Sequence, residues 1–231
     1  MSPEKLCPSD TNPARLVWLV CLVVCLVSSA RSQHATVPTI AFTCDFPNSD
    51  PSHYAVSVSS DGHGSYISDG KLAPSSDPAQ PSSLNFTVSS TLAARMFDLA
   101  QQAHYFEGQI DSRKKNIAFT GDKSLSYKAA QRSTLGSYNY STIPAVQELT
   151  TIFQSLSTTL EFGRRLEYDC RYQKLALDEE LRRMEGMASQ GESEMGVVAP
   201  ILQKILGDSS VINEVRARAQ RLLERAGTGN K

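Results

Sequence analysis

The chain has 231 residues, 40% of them apolar and 20% charged, with a formal net charge of -1 at neutral pH. This is the composition of an ordinary globular protein with room for one modest domain and an appendage. Without an excess of basic residues, nucleic acid and anionic lipid surfaces are excluded as partners, because both need a basic face.

Lys5 and Arg15 precede the uncharged run LVWLVCLVVCLV from Leu16 to Val27, and Ser28-Ser29-Ala30 follow it. A basic start, a short apolar stretch and small residues at the cut describe an export signal. Residues 1–30 are therefore read as a signal peptide cleaved near Ala30, which puts the mature chain in the periplasm or outside the cell. The alternative is an uncleaved signal anchor, with membrane contact through that segment alone, yet about twelve apolar residues fall short of the ~20 that span a bilayer. Cys7, Cys21 and Cys25 leave with the signal, so Cys44 and Cys170 remain in a compartment that permits disulfides. Either they bridge, closing a long loop for about 4 kcal/mol, or they are two separate thiols, with Cys170 filling a place on an apolar helix face.

Residues 31–52 form a polar N-terminal segment, interrupted by TIAFTCDF (Thr39 to Phe46), a short strand closed by Pro47 and Pro51. Tyr54 to Ser68 is a hairpin in which Tyr54, Val56 and Val58 alternate before an Asp61-Gly62 turn. A loop rich in Pro and Ser follows, then a strand, Leu84 to Val88, and a helix from Thr91 to about Tyr105 capped by Ser89 or Ser90. Asn116 to Ala129 alternates again, with its turn at Gly121-Asp122-Lys123, and Gly136 to Tyr140 leads through Ser141 into a second helix. Val56, Val58, Asp61 and Tyr66 match Ile117, Phe119, Asp122 and Tyr127 at a constant offset, which suggests either a duplicated unit or two hairpins of ordinary similarity.

The second helix is the longest element, expected over 142–188. Val146, Leu149, Phe153, Leu156, Leu160, Leu166, Cys170, Leu177, Leu181 and Met184 keep a helical period, and a continuous helix would be about 70 Å long. Such a helix overshoots a small domain, so its distal half awaits a coiled-coil-like partner, with Gly163 as its weak point. Glu161 with Arg165, Glu167 with Arg171, Asp178 with Arg182 and Glu179 with Arg183 have the favourable i,i+4 order of a solvated face. Residues 196–227 read as a C-terminal helical hairpin whose stripe includes Leu222; it either folds onto the long helix or faces a second protein. The predicted fold is α+β: a two-layer sandwich over 53–188, an antiparallel sheet with two helices on one face, plus that hairpin.

No catalytic constellation, cofactor fingerprint or metal-ligand spacing is recognised. His34, His53, His63 and His104 are not spaced as metal ligands, and Gly121-Asp122-Lys123-Ser124 lacks the glycine spacing of a phosphate loop. Asp61 with Asp69 is the first place to look for a cation, although loop carboxylates are mostly turn formers. Tyr105, Phe106, Tyr138 and Tyr140, together with Leu222, form the candidate interaction surface, and Tyr168 and Tyr172 join these aromatics as possible flanks of a binding groove, against the plainer reading that they pack the core.

The YAVSVSSDGHGSYIS hairpin, the helix ending in HYFEG, the NIAFTGDKSLSY run and the long helix from near Val146 resemble uncharacterised families of exported bacterial proteins. The resemblance covers a little over half the chain. It implies an envelope setting and carries no assigned activity. The expected function is a non-catalytic protein-interaction module with an envelope or extracellular partner. A small-ligand carrier with a pocket between sheet and helices is the alternative, and an unrecognised enzyme is third.

Overall fold

The computed structural model describes residues 37–73, 82–189 and 194–228; the export-signal reading of residues 1–30 lies outside them. Six antiparallel strands form one sheet: β1 (Thr39–Asp45), β2 (His53–Ser59), β3 (His63–Ser68), β4 (Ser82–Thr87), β5 (Asp122–Ala129) and β6 (Arg132–Tyr138). Their spatial order is β4-β3-β2-β1-β5-β6. The helices are α1 (Ser90–Gln102), α2 (Pro144–Tyr172), α3 (Leu177–Ser189), α4 (Ala199–Gly207) and α5 (Asn213–Thr228). The α+β class, the long helix and the C-terminal helical pair are as the sequence predicts.

Three expectations change. The TIAFTCD segment is not a marginal piece of a polar tail, so the domain cannot begin at residue 53. As β1 it lies inside the sheet, with Phe42 opposite Val56 on one side and Leu125 on the other. Its alternation explains this: Ile40, Phe42 and Cys44 all point into the core and are buried.

The second hairpin turns later than expected. Ala129 pairs with Arg132, so the reversal is at Ala130-Gln131 and Gly121-Asp122-Lys123 is the entry to β5. Ile117 and Phe119 then fall outside any strand, and the matched positions that suggested a duplication do not share a place in the fold. Residues before β5 instead shield the end of edge strand β6, where the Ser112 N–H donates to the Tyr140 carbonyl at 2.8 Å.

The long helix does not run unbroken over 142–188. It passes through Gly163 without a kink and stops at Gln173, whose backbone (φ -142°, ψ 53°) leaves the helical region. Gly163 serves a close approach instead, since a Cβ there would stand 2.8 Å from Val198 Cγ1. A short 3-10 turn, Lys174–Ala176, then redirects the chain into α3. The break is favoured by burial. A straight helix would carry Leu177, Leu181 and Met184 into water, whereas all three are fully buried after the turn, at about 1.5–3 kcal/mol each.

The helical pair completes that layer. Leu222 is 0% exposed, and Arg218 of α5 bridges Asp178 (2.7 Å) and Glu185 (2.6 Å) of α3. Asp178 with Arg182 and Glu179 with Arg183 pair as expected. Glu161 does not pair with Arg165 on a solvated face; it turns inward to Arg164, and Arg165 reaches Glu180 of α3. Among the described residues no helix covers the opposite face of the sheet, and its central positions, such as Ala41, Ser57, Ser65 and Ser126, are small and partly exposed.

Candidate functional site

The sequence-predicted site residues are dispersed, and most are structural. Phe106, Tyr138 and Leu222 are buried and face no partner. Tyr105 packs on Tyr127 with ring centroids 4.6 Å apart and carries the Arg132 guanidinium over its ring, 4.2 Å from the centroid. Of the five, Tyr140 alone keeps a substantially exposed ring, at 39%. Cys44 and Cys170 are free thiols in different places. Cys44 neighbours Tyr54 and Lys123, whereas Cys170 lies among Lys204, Asp208 and Lys174. Phe42, two residues before Cys44, stacks on Phe153 of α2 at 5.4 Å, and Cys170 is about 25 Å further along that helix. A bridge needs Cα atoms within about 7 Å. Asp61 and Asp69 lie at opposite ends of β3, each accepting local hydrogen bonds, from Ser59 and His63 and from Ser52 and His53 respectively. No group of three or more potential ligands forms a metal site among the described residues.

What the sequence did not mark is a buried polar network between β3 and α2. The Tyr66 hydroxyl donates to Glu161 Oε1 at 2.7 Å and lies 3.0 Å from Ser157 Oγ. Arg164 Nη1 donates to both Glu161 oxygens, at 2.8 and 3.0 Å, and to Ser68 Oγ at 3.1 Å. Burial and the adjacent Glu161 carboxylate push the Tyr66 phenol well above its usual range. A Cβ on Gly70 would stand 2.6 Å from Glu161 Oε2, so the loop after β3 closes on the carboxylate only because residue 70 has no side chain. The network locks α2 across the sheet at a fixed height. Glycine spacing and i,i+4 charge patterns hint at none of this, because the partners are about ninety residues apart.

Locking α2 in this way leaves a groove of about 390 Å³ beside the sheet edge, between Ser83 and Leu84 of β4 and Arg164, Tyr168, Arg171 and Tyr172 of α2. β4 ends the strand order, so no strand among the described residues pairs with its outer side. The Val88 N–H donates to the Gly62 carbonyl at 2.9 Å, which fixes the alternation of the ladder. Residues 84 and 86 bond to β3, and Ser83 and Asn85 turn their N–H and C=O groups outward. The Met195–Val198 turn packs near the far end of β4, and the groove is lined on its strand side by Ser83 and Leu84. The rings of Tyr168 and Tyr172 meet at a tilt of 48°, their centroids 5.0 Å apart, along the other wall. Tyr172 is 70% exposed and Leu175, just past the helix end, is 96% exposed.

A second cleft of about 380 Å³ lies on the other side of α2 and includes Arg165, Asp169 and Glu180. Burial, reinforced by the neighbouring Glu180 carboxylate and opposed by Arg165, raises Asp169 to a pKa of about 6. No protein-family model matches the chain, and no curated protein matches it. Among the described residues no helix is long and apolar enough to cross a membrane.

Proposed function

We propose that the chain is a non-catalytic interaction module of the cell envelope or extracellular space, and that it takes an extended segment of a partner protein along the outer edge of β4. The observation that carries this reading is the juxtaposition of the outward backbone groups of Ser83, and of Asn85 beyond it, with the half-buried Tyr168 and the exposed Tyr172 across the groove. Main-chain hydrogen bonds to an open strand edge supply affinity for any extended peptide, and the wall that its alternate side chains meet supplies selectivity. Tyrosines suit such a wall because they bury a large area with little conformational entropy to lose and keep a hydroxyl for the rim. Arg171 and Glu167 both line the same wall, so its charges can meet either sign on a bound segment and selectivity rests on the tyrosines.

The carrier reading has less to support it. The cavities are surface clefts edged by charged or polar groups, and a carrier needs an enclosed apolar pocket. The test is selection from a displayed library of random linear peptides on residues 31–231. Peptides enriched on the native chain should lose about fivefold in affinity to Asn85→Pro and to Tyr172→Ala, each hydrogen bond or ring contact contributing about 1 kcal/mol. Proline at residue 85 removes an outward N–H and spares the β3 ladder. Enriched peptides that bind both variants as well as the native chain would remove the groove from consideration.

A further inference from the structure

Lys123 is the one buried lysine among the described residues, 5% exposed. It enters the core from β5 opposite Cys44 of β1 and Tyr138 of β6. Its ammonium donates to Thr120 Oγ1 at 2.8 Å, to the Asn139 carbonyl at 3.1 Å and to the Gly121 carbonyl at 3.2 Å. These three acceptors hold the cation in place but bring no negative charge. Lys123 forms no ion pair among the described residues, and Asp122, its neighbour in sequence, points to the opposite face of the sheet. Burial lowers its pKa from the usual lysine value, an effect that Cys44 and Asp122 oppose. A buried cation without a counter-charge is costly, and ordinary cores avoid it or pair it.

Lys123 also lines a cleft of about 300 Å³, at the lower end of small-molecule sites. It is the only charged side chain of that lining, which otherwise presents hydroxyl and amide groups, among them Tyr140, Ser141, Gln147 and Gln154. The Tyr140 hydroxyl accepts from Gln147 Nε2 at 3.0 Å, and Ser141 Oγ accepts from the Ile143 N–H at 3.2 Å, so both hydroxyl protons remain for an acceptor in the cleft. Ser141 and Gln147 flank the start of α2, whose N-terminal dipole adds positive potential to the same wall.

We infer that this cleft is a binding site for a compact oxyanion, a carboxylate or phosphate group, whose charge Lys123 balances and whose oxygens the Tyr140 and Ser141 hydroxyls contact. The site is separate from the β4 groove and does not depend on it. The carboxylate or phosphate can belong to a free small molecule or to a terminus of a larger one, and the lining distinguishes neither.

The experiment is a titration of the native chain with inorganic phosphate, with acetate and with an N-acetylated dipeptide in its free-acid and amide forms, followed by backbone amide NMR. Saturable shifts at Thr120, Asn139, Tyr140 and Ser141 are expected with at least one oxyanion, and the dipeptide amide should give none. Binding by the dipeptide acid alone would assign the site to a chain terminus; binding by phosphate or acetate would assign it to a free anion. Gln154→Glu places a negative charge on an exposed position of the lining and should weaken binding about tenfold without touching the core. Tyr140→Phe should weaken it several-fold, and Lys123→Met should abolish it. Should Lys123→Met fail to fold, the two exposed positions still decide. Absence of saturable shifts at these amides with every probe, even at millimolar concentrations, or affinity that Gln154→Glu leaves unchanged, would overturn the inference.

Discussion

Glu161 and Arg164 illustrate how one pair of residues sets the geometry of the whole site. Both are almost fully buried, and the Tyr66 hydroxyl, Ser68 Oγ and the Gly70 carbonyl satisfy their remaining groups. Removing one partner leaves the other charged and buried, so Glu161→Ala should cost about 3–5 kcal/mol in unfolding free energy, whereas replacing both with well-packed apolar residues should cost far less. Urea unfolding of the two variants makes the comparison, and equal losses would show that the pair is not coupled. Asp169 has the opposite sign. Its folded pKa, about 6, is above the unfolded value of about 3.9. Between those two values the folded state keeps a proton that the unfolded state has released, so this group's contribution to stability is present below pH 4 and is lost as pH rises through 6. Asp169→Asn should therefore raise stability at pH 7 by about 1–3 kcal/mol and leave it unchanged near pH 4. Thermal denaturation at the two pH values checks this, and equal midpoints at pH 7 would contradict it. The periodicity of α2 could not reveal either residue's role, because a helical period locates a face and says nothing of which charges turn toward the sheet.

At the scale of elements, the long helix was legible in its first half and misleading in its second. Apolar residues continue in phase from Leu166 through Cys170 to Leu177, so nothing local marks the stop at Gln173. What ends α2 is the gain from folding Leu177, Leu181 and Met184 back under α5, a tertiary effect that a single-element pattern does not contain. The same limit applies to β1, where two prolines made a core strand look like a fragment, and to β5, where an Asp-Lys pair after a glycine resembled a hairpin turn. The Asp61-Gly62 hairpin and the Ser89 cap were readable because their chemistry is local: Ser89 Oγ accepts from the Leu92 N–H at 3.1 Å. The docking of the helical pair gives a prediction at this scale. Leu222→Asp puts a carboxylate where no water reaches, and it should destabilise the chain by at least about 3 kcal/mol. Loss of the α5 signal in hydrogen exchange before the sheet opens would place the damage where it belongs; an unchanged midpoint would mean that α5 is not docked as described.

For the molecule as a whole, the sheet edge decides the account. One edge, β6, is shielded by the segment before β5, and the other, β4, faces a groove walled by α2. An exposed edge invites uncontrolled pairing and is normally covered, bulged or charged; here Ser83, Leu84, Asn85 and Phe86 bring no charge to the edge, and among the described residues the Met195–Val198 turn packs near its far end. The proposed partner strand would occupy this edge, beside Tyr168 and Tyr172. Of the aromatics read from the sequence as possible groove flanks, Tyr168 and Tyr172 line this groove; the open edge itself was not legible, because edge status follows from strand order and β1 had to be placed before β4 could be seen as terminal. The most direct measurement is amide hydrogen exchange of the native chain with and without a selected linear peptide. The account predicts that the Ser83 and Asn85 amides exchange freely alone and become protected in the complex, while Leu84 and Phe86, already bonded to β3, change little. Protection that bypasses Ser83 and Asn85, or appears instead on the open face at Ala41 and Ser57, would contradict it.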